Sequence, residues 1–151
     1  MARAAGGRRA VAPARPFEHV YDPAETDPAE VVEEVTDGWG ADVHVETTGA
    51  VGATYPAIER SLAETANVVH ISNAGEVAPV ETRRYQASAA QLYGSEGHTG
   101  DRVFQEGIRL MAAGRLDNRP VVTATYGLAE ADEAVRRVAE RVDGKVVIEM
   151  P

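Results

Sequence analysis

Apolar and polar positions along this chain follow two different periods, and the switches between them mark out its elements. Gly40-Ala41-Asp42-Val43-His44-Val45-Glu46-Thr47-Thr48-Gly49 is a β-branched, mostly apolar run that ends in a glycine. Such a run suits a sheet interior, and Gly49 frees the backbone to turn where the strand stops. Asn67-Val68-Val69-His70-Ile71-Ser72 is another strand of buried type, closed by Asn73-Ala74-Gly75, and Gln91 to Gly97 is a further strand with a glycine-rich exit. Before the first of these the period lengthens. Asp27 as N-cap, Pro28 at the first helical position and Glu30 in a capping-box pattern open a helix. Val31, Val32 and Val35 form its expected buried stripe, and Gly38 stops it. A second helix is predicted over about 54–63, with Pro56 in its first turn and Ile58 and Leu62 facing inward.

The flanks complete the order. Residues 1–16 are rich in Ala, Arg, Gly and Pro, have no clean period, and read as a frayed or broken lead-in. Phe17 to Tyr21 is expected as a short strand closed by Asp22-Pro23. The stretch 81–84 reads as a polar excursion. From Asp101 to Ala113 a helix is predicted, with Val103, Phe104, Ile108 and Met111 on one face and Gly114 as its stop. Pro120 to Tyr126 is extended. A last helix over about 129–142 carries Ala131, Ala134, Val135, Val138 and Val142 on one stripe, and Lys145 to Met150 is a closing strand. Strand, helix, strand, helix, strand at these spacings argues for βαβ units and a parallel sheet. The expected organisation is therefore the lead-in 1–16 and an α/β region 17–151.

Composition narrows the function classes. A formal net charge of -9 disfavours nucleic acid as the main partner, because phosphate neutralisation needs a basic surface. No apolar run approaches a membrane span and no signal-peptide core follows the basic N-terminus, so a membrane role is not expected and the cytoplasm is the default location. With no cysteine there is no disulfide framework, thiolate metal site or thiol nucleophile. Lys145 is the only lysine; an acidic, arginine-rich surface of this kind also suits a high-salt medium.

Candidate chemistry is thin. His19, His44, His70 and His98 have no Cys, His or Glu partner at a ligand spacing, so none is taken as a metal ligand. His44 and His70 sit among valines and isoleucine, where packing or a satisfied hydrogen bond is the expectation. His98, after Gly97, is the best placed of the four to touch a ligand. Glu46 could be a general base, but with no catalytic partner in view it is expected to accept bonds from backbone amides at the strand end. Arg83-Arg84 and Arg136-Arg137 lie near acidic residues and are expected on solvated faces.

Four landmarks now carry a resemblance: the strand ending Glu46-Thr47-Thr48-Gly49, the strand ending Ser72-Asn73, the turn Tyr93-Gly94-Ser95-Glu96-Gly97-His98, and the terminal Asp143-Gly144-Lys145-Val146-Val147-Ile148. In this order and spacing they resemble the C-terminal part of the medium-chain dehydrogenase/reductase family, in particular its zinc-dependent alcohol and polyol dehydrogenases. Leu110 to Gly114 and Pro120 to Thr123 look most like the branch acting on polyols, inositol-type sugars or threonine. The resemblance covers residues 17 to 151. It implies a Rossmann-type parallel sheet with flanking helices, incomplete because the first βαβ unit is truncated, whose strand ends hold NAD or NADP. By position, Thr47, Thr48 and Gly49 would flank the adenosine side and ribose. Ile71, Ser72 and Asn73 would meet the nicotinamide ribose and ring, Ser95, Glu96 and Gly97 would offer backbone groups to the carboxamide, and Lys145 would approach the pyrophosphate.

Two departures bear on function. Complete members carry an N-terminal domain with the catalytic zinc, and a Gly-x-Gly-x-x-Gly turn whose amides hold the pyrophosphate. Neither has a counterpart in these residues; zinc is expected only in the missing catalytic domain, and the chain reads as a shortened segment. The expected function is thus the cofactor-binding portion of an NAD(P)-dependent zinc-type alcohol or polyol dehydrogenase, inactive as an isolated chain. The alternative is a non-catalytic nucleotide-binding or subunit-interaction module, or a truncated remnant. The expected partners are a nicotinamide nucleotide and either a second copy of the chain or the missing zinc domain, since Val121, Val122, Val146 and Ile148 would leave an apolar patch uncovered.

Overall fold

The computed structural model describes residues 19–97, 100, 102–140 and 143–151. They fall into two compact units, one of residues 21–101 and one of residues 102–151 with the described residues ahead of Tyr21.

The first unit runs α1 (Pro28–Val35), β1 (Ala41–Glu46), α2 (Val51–Arg60), β2 (Leu62–His70), α3 (Thr82–Ser88) and β3 (Gln91–Gly94). Its three strands are parallel in the order β1-β2-β3. This is the α/β arrangement of the Rossmann type, helices flanking a parallel sheet. Asp27 caps α1 as its sequence predicts, its Oδ1 accepting from the Ala29 amide at 2.9 Å, and Pro28 occupies the first turn. The Arg60 guanidinium donates to both carboxylate oxygens of Asp27, tying the end of α2 to the start of α1.

Several expectations are corrected in this unit. His19 to Tyr21 is not a strand, and Phe17 and Glu18 lie outside the described residues. The expected stripe of α1 is only half-formed: Ala29 is buried, Val31 and Val32 are half-buried and Val35 is exposed. The helix α2 starts at Val51, earlier than predicted, because the Gly49 turn feeds it directly. Val51, Tyr55 and Glu59, at spacing four, are its buried face, and Pro56 sits in its interior. Leu62 belongs to β2, which begins five residues before the predicted Asn67. The early part is hidden in the sequence by an irregularity. Ala41 pairs with Leu62 but Val43 with Asn67, so β2 bulges, and Thr65 takes a left-handed φ of 59° within the bulge. The polar stretch 81–84 leads into α3, a helix with no buried residue and hence no apolar stripe to announce it. Val43 and Val45 are more than half exposed, because β1 is an outer strand of the three described.

The core of the unit is made of small side chains and one tyrosine. Ala29, Ala63, Ala66, Tyr55, Val51 and Val68 are buried, the two valines fully. Each valine contributes about 1.5–3 kcal/mol through that burial.

The second unit holds α4 (Val103–Ala112), a 3-10 turn at Arg119–Val121, β4 (Val122–Gly127), a 3-10 turn at Leu128–Glu130, α5 (Ala131–Ala139) and β5 (Lys145–Glu149). The strands β4 and β5 pair in parallel, with α5 as their crossover. The Arg137 Nε donates to Asp143 at 2.6 Å and the Gly144 amide to the Thr123 hydroxyl at 2.8 Å, fixing the turn into β5. The expected apolar stripes form on their helices but do not close over a core. Phe104 is 76% exposed and Val135 65%, and only Ala134 of α5 is buried. Val122 and Ile148 are also exposed, and Val121 and Val146 half-buried, as a two-stranded sheet covered by few residues requires. Val142 lies outside the described residues. No helix among the described residues is long and apolar enough to cross a membrane.

Candidate functional site

Three strands of the first unit end on one line. Glu46 pairs with His70, and His70 pairs with Gly94. The segments that follow therefore rise from a shared rim, the carboxyl edge where open α/β sheets bind ligands. Backbone bonds hold them together there: the Ile71 amide donates to the Glu46 carbonyl at 2.9 Å and the Ser95 amide to the His70 carbonyl at 2.8 Å.

Glu46 is the brace of this rim. Its side chain is buried, and its Oε1 accepts from the Thr48 amide at 2.9 Å, the Thr48 hydroxyl at 2.6 Å and the Gly49 amide at 3.2 Å. Its Oε2 accepts from the Ser72 hydroxyl. One carboxylate thus ties the loop after β1 to the loop after β2. Burial pushes the Glu46 carboxyl up, but the bonds from Ser72, Thr48 and Gly49 outweigh it and hold the group below the usual carboxylate value.

Gly49 adopts a φ of 74°, and a Cβ there would meet the Asn73 carbonyl oxygen, the Ala74 Cα and the Ser72 Cβ at 3.5–4.0 Å. The two loops touch, and the glycine permits both the turn and the approach. Beside them opens a groove of about 470 Å³, within the range of small-molecule sites. Val51, Tyr55, His70, Ser72, Asn73 and Glu76 line it, together with Leu92 to Gly94. Glu76 caps the start of α2, its Oε1 accepting from the Gly52 amide at 3.2 Å.

The residues singled out from the sequence separate into those facing outward and those consumed by the rim itself. Thr47, Ile71 and Asn73 are exposed, and Ser72 and Asn73 line the groove. The Thr48 hydroxyl is used within its own loop, donating to Glu46 and accepting from the Ala50 amide at 3.0 Å. The Ser95 amide is taken by the His70 carbonyl, while its own carbonyl has no bond among the described residues. Glu96 and Gly97 follow on the exposed exit from β3, while His98 lies outside the described residues. Lys145 belongs to the other unit, exposed at the start of β5.

Sequence reasoning passed over two participants. The Tyr55 hydroxyl and His70 Nδ1 are 3.1 Å apart and share a hydrogen bond, and Nδ1 lies 3.5 Å from Glu46 Oε2. Tyr55 could have been found from its spacing to Val51, had the helix start been recognised. Glu76 gave no signal beyond being an acid after Asn-Ala-Gly. His44 is the simpler case: Nε2 bonds the Ser61 carbonyl at 3.2 Å, and burial lowers its pKa against that bond. Among the described residues no group of three or more His, Cys, Asp or Glu side chains could hold a metal ion.

Comparison with known proteins agrees with the fold. The family model for zinc-binding dehydrogenases matches residues 16–148. The chain is 32% identical over 135 residues to scyllo-inosose 3-dehydrogenase of Thermotoga maritima, covering 87% of this chain and 34% of that protein. Among solved structures, a Thermotoga maritima protein given provisionally as an alcohol dehydrogenase superposes with a TM-score of 0.83 at 30% identity, over 93% of this chain and 37% of that one. The 2R,3R-butanediol dehydrogenase of Bacillus subtilis has a TM-score of 0.73 at 23% identity over 85% of this chain and 37% of its own, a likeness of fold alone. The chain spans about a third of the length of these relatives.

Proposed function

The chain belongs to the zinc-binding dehydrogenase family, and on that premise we propose that its first unit is the nicotinamide-nucleotide-binding portion of an NAD(P)-dependent alcohol or polyol dehydrogenase. The observation that carries the reading is the shared rim. Glu46, His70 and Gly94 finish in register, and Gly49 and Asn73 pack together beside an open groove. The groove's chemistry suits a part of such a nucleotide that carries no phosphate. Hydroxyl, amide and imidazole groups line it, Glu76 adds negative charge, and among the described residues no Lys or Arg does. A phosphate would be poorly held there, whereas a nicotinamide riboside would find hydrogen-bonding partners without a negative charge of its own to oppose Glu76.

When bound, the nicotinamide ring supplies the hydride donor or acceptor. The chain's own residues bind and orient it. Thr47 and Gly49 would meet the adenosine side, Ile71, Ser72 and Asn73 the nicotinamide ribose and ring, and the Ser95 carbonyl with Glu96 and Gly97 the carboxamide. Thr48 acts from behind, by holding Glu46. The described residues do not fit a zinc site. A cytoplasmic location goes with this reading.

The same lack of a fitting ligand group favours a second reading for the chain by itself, a module that binds nucleotide without turnover. One pair of assays tests both. Titrating NADH with the full chain should give a saturable rise in NADH fluorescence, while alcohol and polyol oxidation by the chain should stay at background. A linear fluorescence response would refute nucleotide binding, and zinc-dependent turnover would refute the non-catalytic reading.

A further inference from the structure

Resting on the nucleotide-binding reading, we propose that His70 is a ligand-binding residue of the groove, its Nε2 accepting a hydrogen bond from a hydroxyl or amide N–H of the nicotinamide riboside. The ring is fixed from behind. Nδ1 faces two oxygens, the Tyr55 hydroxyl at 3.1 Å and Glu46 Oε2 at 3.5 Å. Tyr55 is 2% exposed and anchored in α2, and Glu46 is equally buried and held by Thr48, Gly49 and Ser72. A carboxylate at that distance favours the proton on Nδ1. With the proton on Nδ1 the lone pair lies on Nε2, which has no hydrogen bond among the described residues.

The surroundings aim that atom. His70 lines the groove and its side chain is 27% exposed, although its strand neighbour Val68 is fully buried. Its own carbonyl is taken by the Ser95 amide and its register partners are Glu46 and Gly94, so its backbone sits at the centre of the rim. The missing Cβ of Gly94 leaves the space beside it open, with no atom within 4 Å of where a side chain would start. An imidazole held by two buried oxygens and facing an open groove has lost its rotational freedom before a ligand arrives, which is what makes a single hydrogen bond effective in binding. A histidine serving only packing needs neither the exposure nor the second oxygen.

Two substitutions separate the two nitrogens. His70→Asn keeps a polar atom only near the position of Nδ1, whereas His70→Gln extends one to the position of Nε2. Measured as NADH affinity of the full chain, His70→Asn should weaken binding about tenfold, the effect of one lost hydrogen bond, and His70→Gln should stay within about threefold of the parent. Nitrogen-15 imidazole spectra should show the Nδ1–H tautomer in the free chain and a shift of Nε2 on adding NADH. Tyr55→Phe, which keeps the buried ring, should loosen that tautomer preference and weaken NADH binding by a smaller factor; it decides the matter should His70→Asn fail to fold. Parent-like affinity in both His70 variants, an equal loss in both, or an Nε2 resonance unmoved by NADH would overturn the assignment of His70 while leaving nucleotide binding intact. Absence of saturable binding by the parent chain would overturn both.

Discussion

The carbonyl oxygen of Asn73 lies 3.5 Å from the point where a Cβ on Gly49 would stand. That spacing is ordinary van der Waals contact, so the obstacle to a side chain at Gly49 is its φ of 74° rather than space. Gly49→Ala should therefore cost about 1–2 kcal/mol, the penalty of a left-handed L-residue. Gly40 makes the contrasting case. Its φ is 82°, and a Cβ would come within 2.7 Å of the Leu62 and Ala63 backbone. Gly40→Ala should cost about 1–3 kcal/mol more than Gly49→Ala, because backbone must move as well. Urea unfolding of the two variants checks the order, and equal losses would contradict it.

Glu46→Gln should open the rim without emptying the core. Glutamine keeps one acceptor but turns an N–H₂ toward groups that donate in the parent, among them Thr48 and Ser72. A loss of about 1–3 kcal/mol is expected. Amide exchange should quicken at Thr48 and Gly49 in particular. Unchanged protection there would mean that Glu46 does not hold the two loops.

Two windows of pH dependence follow from two residues of β1. Glu46 sits below its ordinary value of 4.5 in the folded chain. Its contribution is complete above that value and is lost as pH falls through the lower folded value, since the unfolded chain binds the proton first. His44 is lowered from 6.5, so it too favours the folded state above 6.5 and loses that contribution as pH falls through its folded value. Stability should decline in two steps on acidification. His44→Gln should abolish the upper step and Glu46→Gln the lower. A profile unchanged by either substitution would contradict the assignment.

Tyr85 offers a stabilising change. Its hydroxyl oxygen is buried with no hydrogen-bond partner among the described residues, and burial together with Glu59 and Tyr55 pushes its pKa up to about 12. Removing an unsatisfied hydroxyl relieves its desolvation penalty, so Tyr85→Phe should raise stability by about 1 kcal/mol. A clear loss in thermal unfolding would show that the hydroxyl is bonded in solution.

What the sequence disclosed depended on whether local chemistry or long-range pairing decided the outcome. Asp27-Pro28 marks a helix start that needs no tertiary information, and it stands where expected. The strand ends at Glu46, His70 and Gly94 were legible because glycine and small residues follow each. The family pattern was legible for the same reason, and it is matched over residues 16–148. The start of β2 was hidden because the bulge around Thr65 breaks the apolar period, and α3 because none of its residues is buried. The roles of Tyr55 and His70 depend on a contact between residues fifteen apart in sequence, which no local pattern encodes. The predicted use of Ser95 and Thr48 needed adjustment for a related reason: their groups are claimed by pairing across the sheet and by the buried carboxylate.

The central claim is that the rim formed by residues 47–49, 71–73 and 95–97 receives a nicotinamide nucleotide. The most direct measurement is a proton–nitrogen correlation spectrum of the labelled chain, recorded during titration with NADH. Saturable shifts should concentrate on the amides of Gly49, Ser72, Asn73 and Gly97, with residues of α1 unmoved. Shifts that never saturate, or that fall outside the three loops, would contradict it.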